Sequence, residues 1–254
     1  MTDVPPIVRQ LADRLGGLGW VTDLLVAGSL ATGDYIPGVS DIDLVALTGS
    51  PVGPPRQEVL ASVHRELDQR LARGLNLGCV YVDAGRLADL GALHPAWTHG
   101  SLVQRSLSGV TRAELVRHGF AVLGRPPATV LPAMTDDDVR RAARAELCGY
   151  WAHAARRPLW WLNPVIADLG LTSMARGRHA LHTGQLLTKT QAIEQAHAPA
   201  WLKDQLRSRR QGERVASPRA RTALIAWRDA RRTVADACRS AALKLQPLRE
   251  CALK

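Results

Sequence analysis

The sequence predicts a small mixed-sheet α/β domain over residues 1–130 followed by an all-helical bundle over residues 131–254. Three observations carry that reading. In the first half, helical apolar spacing alternates with short strand-like runs. In the second half only the helical spacing persists. Between the halves lie Gly124-Arg125-Pro126-Pro127 and Leu131-Pro132, whose prolines interrupt either kind of element.

Taken in order, Pro5 to Leu18 reads as a helix with Ile7, Val8, Leu11 and Leu15 along one face. Strands follow at 21–27 and 41–47. Pro51-Val52-Gly53-Pro54-Pro55 is a loop, and Gln57 to Arg73 is an amphipathic helix with Val59, Leu60, Val63, Leu67 and Leu71 on its stripe. Leu75 to Val82 is a third strand. Thr135-Asp136-Asp137-Asp138 marks a helix start, its acids placed against the positive end of the dipole. Helical patterns then cover 137–156, 163–182, 189–197, 200–211 and 217–241. Trp151, Trp160 and Trp161 fit the helical core, with stacking on a sugar or base as the other reading.

The 254 residues are 46% hydrophobic and 22% charged, enough apolar material for a true core. No apolar run is long enough to span a membrane and no signal segment opens the chain, so a cytoplasmic protein without a membrane partner is expected. Cys79, Cys148, Cys238 and Cys251 are far apart in sequence, which favours free thiols in a reducing compartment. Residues 1–130 hold eleven arginines and twelve acids, whereas residues 131–254 hold 22 lysines and arginines and eleven acids. The basic half is a solvated helical surface on one reading and a face for polyanions, a triphosphate or RNA, on the other.

The chemistry is concentrated in Val21 to Leu47. An apolar strand ends in Gly28-Ser29, and the next strand begins with Ser40-Asp41-Ile42-Asp43. Strand alternation points Asp41 and Asp43 to one face while Ile42 and Leu44 enter the core. Two neighbouring carboxylates repel unless a cation lies between them, and hard oxygen ligands suit Mg²⁺ carrying a nucleoside triphosphate. The Gly28-Ser29 turn offers backbone N–H groups and a hydroxyl to phosphate oxygens.

A Gly-Ser followed about a dozen residues later by Asp-x-Asp, here Ser29 and Asp41 twelve apart, resembles the polymerase-β-type nucleotidyltransferase superfamily. Within it the whole chain resembles the bacterial streptomycin/spectinomycin (aminoglycoside) adenylyltransferases, which join a minimal nucleotidyltransferase domain to a helical C-terminal domain. Two further segments carry that likeness: Ala113 to Pro126, which ends in a Gly-Pro-like turn, and Ala175 to Lys189, with Arg176, Thr183-Gly184 and Lys189 in the family's order. The resemblance implies ATP or another NTP, with Mg²⁺ at Asp41 and Asp43. Ser29 and Ser40 would hold phosphates beside Gly28, and Arg176 and Lys189 would reach them from the helical domain. Lys189 is the first lysine of the chain.

The departures are as informative. The family's glutamate at the start of the third strand aligns near Leu77 or Gly78, with no carboxylate; Asp83 lies some six residues further on and reads as a strand-ending turn residue. The family's nucleotide-contacting aspartate before the Ala113 helix is replaced by Leu107-Ser108-Gly109. Trp97 is a candidate cleft residue, and His99 a candidate replacement base, since imidazole suits proton abstraction near neutral pH. Asp168 and Asp136–Asp138 are possible substitutes for the carboxylates that a cationic antibiotic needs. The reading is nucleotidyl transfer to a hydroxyl-bearing small molecule, with transfer to RNA or nucleotide binding without catalysis as alternatives.

Overall fold

The computed structural model describes residues 4–69 and 75–245. The chain divides into two compact units, Met1–Met134 and Thr135–Lys254. The first is a mixed sheet with helices; the second contains helices and no strand among the described residues.

In the first unit α1 (Pro6–Gly16) leads into β1 (Val21–Val26), the short α2 (Gly28–Ala31) and β2 (Ile42–Thr48). Next come α3 (Pro54–Gln69), β3 (Leu77–Asp83), β4 (Leu93–Thr98), β5 (Ser101–Ser106), α4 (Gly109–His118), β6 (Phe120–Leu123) and the short α5 (Pro127–Val130). The predicted end of the third helix, 70–73, lies outside the described residues. The six strands run in the order β5-β4-β3-β2-β1-β6. Only β2 and β3 are parallel, the crossover between them being α3.

Three strands, β4, β5 and β6, are absent from the sequence reading. β4 and β5 form a hairpin on the two-residue turn His99-Gly100, both at positive φ (47° and 76°), as a tight hairpin turn requires. β5 is an exposed edge with scarcely any apolar alternation, and β6 has only four residues, so neither leaves a strong period-2 signal.

The sheet has a core on each face. Ile42, Leu44, Ala46, Leu77, Cys79 and Tyr81 pack with α1 and α3, while Leu25, Val45, Leu47, Val82 and Leu115 of α4 form the opposite layer. Asp23, fully buried, ties β1 to the chain just after β6: it accepts Arg125 backbone N–H at 2.7 Å and Arg125 Nη2 at 2.8 Å.

The second unit comprises α6 (Asp136–Glu146), a π turn at Leu147–Trp151, α7 (Ala152–Ala155) and a 3₁₀ turn at Pro158–Leu162. It continues with α8 (Pro164–Thr183), α9 (Lys189–Gln195), α10 (Ala200–Arg210) and α11 (Arg219–Leu245). The predicted acid-rich start is a capping box: Thr135 accepts from Asp138 N–H and Asp138 accepts from Thr135 N–H. The continuous helix expected over 137–156 is divided by the π turn, a single-residue insertion that apolar spacing does not reveal. Trp151 and Trp161 are buried in the core, whereas Trp160 is 42% exposed with Arg157 stacked on its ring.

One expectation is corrected here. Cys148 and Cys238 are not separate thiols but a disulfide, 90 residues apart in sequence and 5.8 Å apart between Cα atoms. The bundle folds α11 back on the π turn, and spacing along the chain carries no trace of that approach. Cys79 is a free, buried thiol, and Cys251 lies outside the described residues. The basic surface is also partly self-neutralised: Arg207 pairs with Glu194 and Asp204, Arg209 with Asp168, and Arg178 with buried Asp229.

Candidate active site

Alternation in β2 does what its sequence requires. Ile42 and Leu44 are buried and Asp41 and Asp43 exposed, so the carboxylates share the face on which α4 packs. Gly28 approaches Asp43 closely. Its φ is +61°, and a Cβ built there would fall 2.2 Å from Asp43 Oδ2. A backbone hydrogen bond from Ala27 N to Asp43 O (2.9 Å) holds the two strand ends together, leaving Ser29 at the start of α2.

Asp41 and Asp43 open into a cavity of about 410 Å³ contained wholly within the first unit. Gly78, Val80, Ala96 and Thr98 form its floor, and Thr111 and Glu114 of α4, with its capping Ser108, form a wall. These last three recur every third residue and so share one face of the helix. α4 is anchored from behind by buried Arg112, which donates to the carbonyls of Leu87 and Leu107. Ser108 caps the helix by accepting Thr111 N–H at 3.0 Å.

The register sets the cross-strand neighbour of Asp43. Asp43 pairs with Gly78, and a Cβ on Gly78 would stand 3.9 Å from Asp43 Oδ1. A longer side chain at that position would point beside Asp43; here there is none. Asp83 pairs with Thr48 at the far end of the strand, where it accepts Gly85 N–H and begins the turn at 84–86.

Sequence reasoning passed over two charged residues of this cavity. Glu114 is 8% exposed. Arg105, on β5, is exposed and makes no ion pair or hydrogen bond among the described residues. The signal for Glu114 lay in the Ser108-x-x-Thr111-x-x-Glu114 spacing; that for Arg105 required β5 to be recognised.

The other expected residues are distributed as follows. His99 sits at the hairpin tip on the cavity rim, its N–H donated to Asn76 Oδ1 at 3.1 Å. Ser40 is buried and its Oγ accepts Ile36 N–H at 3.0 Å, so it braces the 36–40 turn. Trp97 does not present its ring to the cleft. The ring stacks on His64 at 5.1 Å on the opposite face and donates Nε1–H to Asp68 at 3.0 Å. Burial drives His64 down to about 3, so it is neutral beside Tyr81.

In the second unit, Arg176 Nε donates to Leu187 O at 3.0 Å, bracing the linker that ends at Thr188. Thr188 caps α9, whose first residue is exposed Lys189. The substitutes considered for a cation pocket are engaged elsewhere. Asp168 is bidentate with Arg209 (2.6 and 3.0 Å), Asp136 accepts Gln185 Nε2, and Asp137 and Asp138 pair with Arg140 and Arg141.

Among the described residues no three His, Cys, Asp or Glu side chains converge as a metal cage. Mg²⁺ is commonly held by one or two carboxylates together with substrate phosphates and water, so the paired Asp41 and Asp43 fit that ion better than one requiring a full protein shell.

Residues 7–74, which hold the Gly28-Ser29 turn and the outward carboxylates Asp41 and Asp43, match the family model of the nucleotidyltransferase domain. Over its length the chain is similar to the spectinomycin adenyltransferase AAD(9) from Enterococcus faecialis, whose crystal structure contains ATP and spectinomycin. The match has 15% identity and a TM-score of 0.70, covering 91% of this chain and 99% of that one. At this identity the likeness is one of fold. No curated protein matches the chain.

Proposed function

We propose that the protein is an Mg²⁺-dependent nucleotidyltransferase that moves a nucleoside monophosphate, AMP from ATP, to a hydroxyl of a small molecule. The observation that carries this reading is Gly28-Ser29 packed against the outward pair Asp41 and Asp43, with a cavity opening beside them. Bound at the two carboxylates, Mg²⁺ would offset the phosphate charge.

Transfer is an in-line displacement: the acceptor oxygen bonds to the α-phosphorus as the bond to the β-phosphate bridge breaks, and pyrophosphate leaves with that electron pair. The acceptor proton goes to a base. Glu114, buried in the cavity wall, is the proposed base, with His99 on the rim as the other candidate. Ser29 and the adjoining backbone are assigned to phosphate oxygens. Arg176 and Lys189 are retained as phosphate partners on their sequence pattern, bidentate guanidinium and point charge respectively. A cytoplasmic location belongs to the same proposal.

The experiment is transfer of label from α-³²P NTPs into small-molecule and RNA fractions of a cell extract, with D41N/D43N as control. Mutant-sensitive label in the small-molecule fraction supports the proposal. Label confined to RNA replaces the acceptor class, and ATP binding without transfer removes catalysis.

A further inference from the structure

Resting on the nucleotidyltransferase reading, we propose that the acceptor carries an anionic group, phosphate or carboxylate, which Arg105 binds at the far end of the cavity.

The sheet order divides the site by role. Gly28-Ser29 follows β1, the neighbour of β2 on one side, while the cavity extends over β3, β4 and β5 on the other. In-line displacement requires entering and leaving oxygens on opposite sides of phosphorus. With triphosphate at Gly28-Ser29 and Mg²⁺ at Asp41 and Asp43, the β3–β5 side is left for the acceptor.

The chemistry of that side is asymmetric. Val80 pairs with Ala96, Ala96 with Val103, and Arg105 follows two residues on, so Arg105 shares the face of Asp43. It lies three strand spacings from β2, about 14 Å at the usual inter-strand distance. α4 begins three residues after β5 ends, so its capping Ser108 follows Arg105 closely in the chain, and Ser106, Ser108 and Thr111 line the cavity together with it. The lining on that side carries these hydroxyls and the Arg105 guanidinium, while its aspartates, Asp41 and Asp43, lie at the start of β2.

An edge-strand arginine often serves only to keep the edge soluble. Arg105 differs in facing a cavity, lacking an acidic partner among the described residues, and having hydroxyl donors beside it. A guanidinium so placed matches an oxyanion bidentately and repels an ammonium. The arrangement thus selects against the polycationic antibiotics and for a hydroxyl compound ending in an oxyanion.

The test uses the full-length protein with matched sets of hydroxyl compounds: a sugar phosphate, the corresponding sugar acid, the neutral sugar and the amino sugar. Each is read by calorimetric titration in the presence of a non-hydrolysable ATP analogue and Mg²⁺, and by label transfer from α-³²P ATP. A phosphorylated or carboxylated compound is expected to be preferred over its neutral counterpart by about tenfold or more, the range of a charge-assisted contact. R105A should remove that preference and R105K restore only part of it. Equal or better binding of neutral or amino compounds overturns it, as does an oxyanion preference that survives R105A. If oxyanion binding depends on Arg105 but no compound is labelled and D41N/D43N changes nothing, the oxyanion site at Arg105 stands while its assignment to an acceptor falls with the transferase reading.

Discussion

Gly28 and Asp43 occupy one another's space: a single methyl on Gly28 would fall 2.2 Å from the Asp43 carboxylate oxygen, and the glycine backbone is held at φ +61°. Gly28 is therefore a steric condition for the position of the Asp43 carboxylate, which is proposed to hold Mg²⁺, as well as part of the proposed phosphate turn. Gly28→Ala is expected to push Asp43 aside and to add strain of about 1 kcal/mol or more from the left-handed backbone. Label transfer should fall by at least about a hundredfold, the scale of a displaced reacting group, while the melting point drops by only a few degrees. Kinetics and calorimetry on the same preparation would check it.

Asp41 and Asp43 are exposed, so removing their charge should cost little folding energy. Asp41→Asn and Asp43→Asn are each expected to retain the native melting point within about 2 °C while abolishing Mg²⁺-dependent transfer. Loss of fold instead of activity would assign the pair a structural role.

Glu114 and His99 make opposite predictions as bases. Glu114→Gln is expected to lower kcat by about a hundredfold or more with ATP KM nearly constant, whereas His99→Ala should act mainly on acceptor KM. The reverse pattern would transfer the base to His99. Glu114→Asp, which keeps the carboxylate but shortens it, should fall between the native protein and Glu114→Gln.

Asp23 reports on pH. Burial raises its pKa, but the side-chain and backbone hydrogen bonds from Arg125, together with the Thr22 hydroxyl, outweigh that and hold it below the ordinary 3.8. A depressed folded pKa means that Asp23 contributes stability above 3.8, lost as pH falls through the lower folded value. Asp23→Asn is expected to cost about 1–3 kcal/mol at neutral pH, as for hydrogen bonds to a charged group, and to flatten the acid limb of the stability curve. Denaturant melts at pH 7 and pH 3 would show whether that limb depends on Asp23.

Reducing Cys148–Cys238 opens a 90-residue connection. The loop-entropy estimate for a closure of that size is about 4–5 kcal/mol, an upper figure because the reduced chain retains structure. Dithiothreitol, or Cys148→Ser with Cys238→Ser, should lower the melting temperature of the helical unit and leave D23N sensitivity unchanged. An unchanged melt would show that helix packing alone carries the bundle.

Where one residue pattern answers to one local geometry, the sequence was sufficient. Strand alternation put Asp41 and Asp43 on one face, the Gly-Ser turn lay at a strand end, and Thr135 with Asp138 marked a helix cap, because each depends on dihedrals and near neighbours. The division into a sheet half and a helical half followed for the same reason. What only the tertiary structure decided depends on residues distant in the chain. Gly78 opposite Asp43, Glu114 and Arg105 in one cavity, Trp97 turned toward His64, and Cys148 against Cys238 are set by strand register and helix packing. Register and packing minimise a sum over the whole core, and no local spacing records the result.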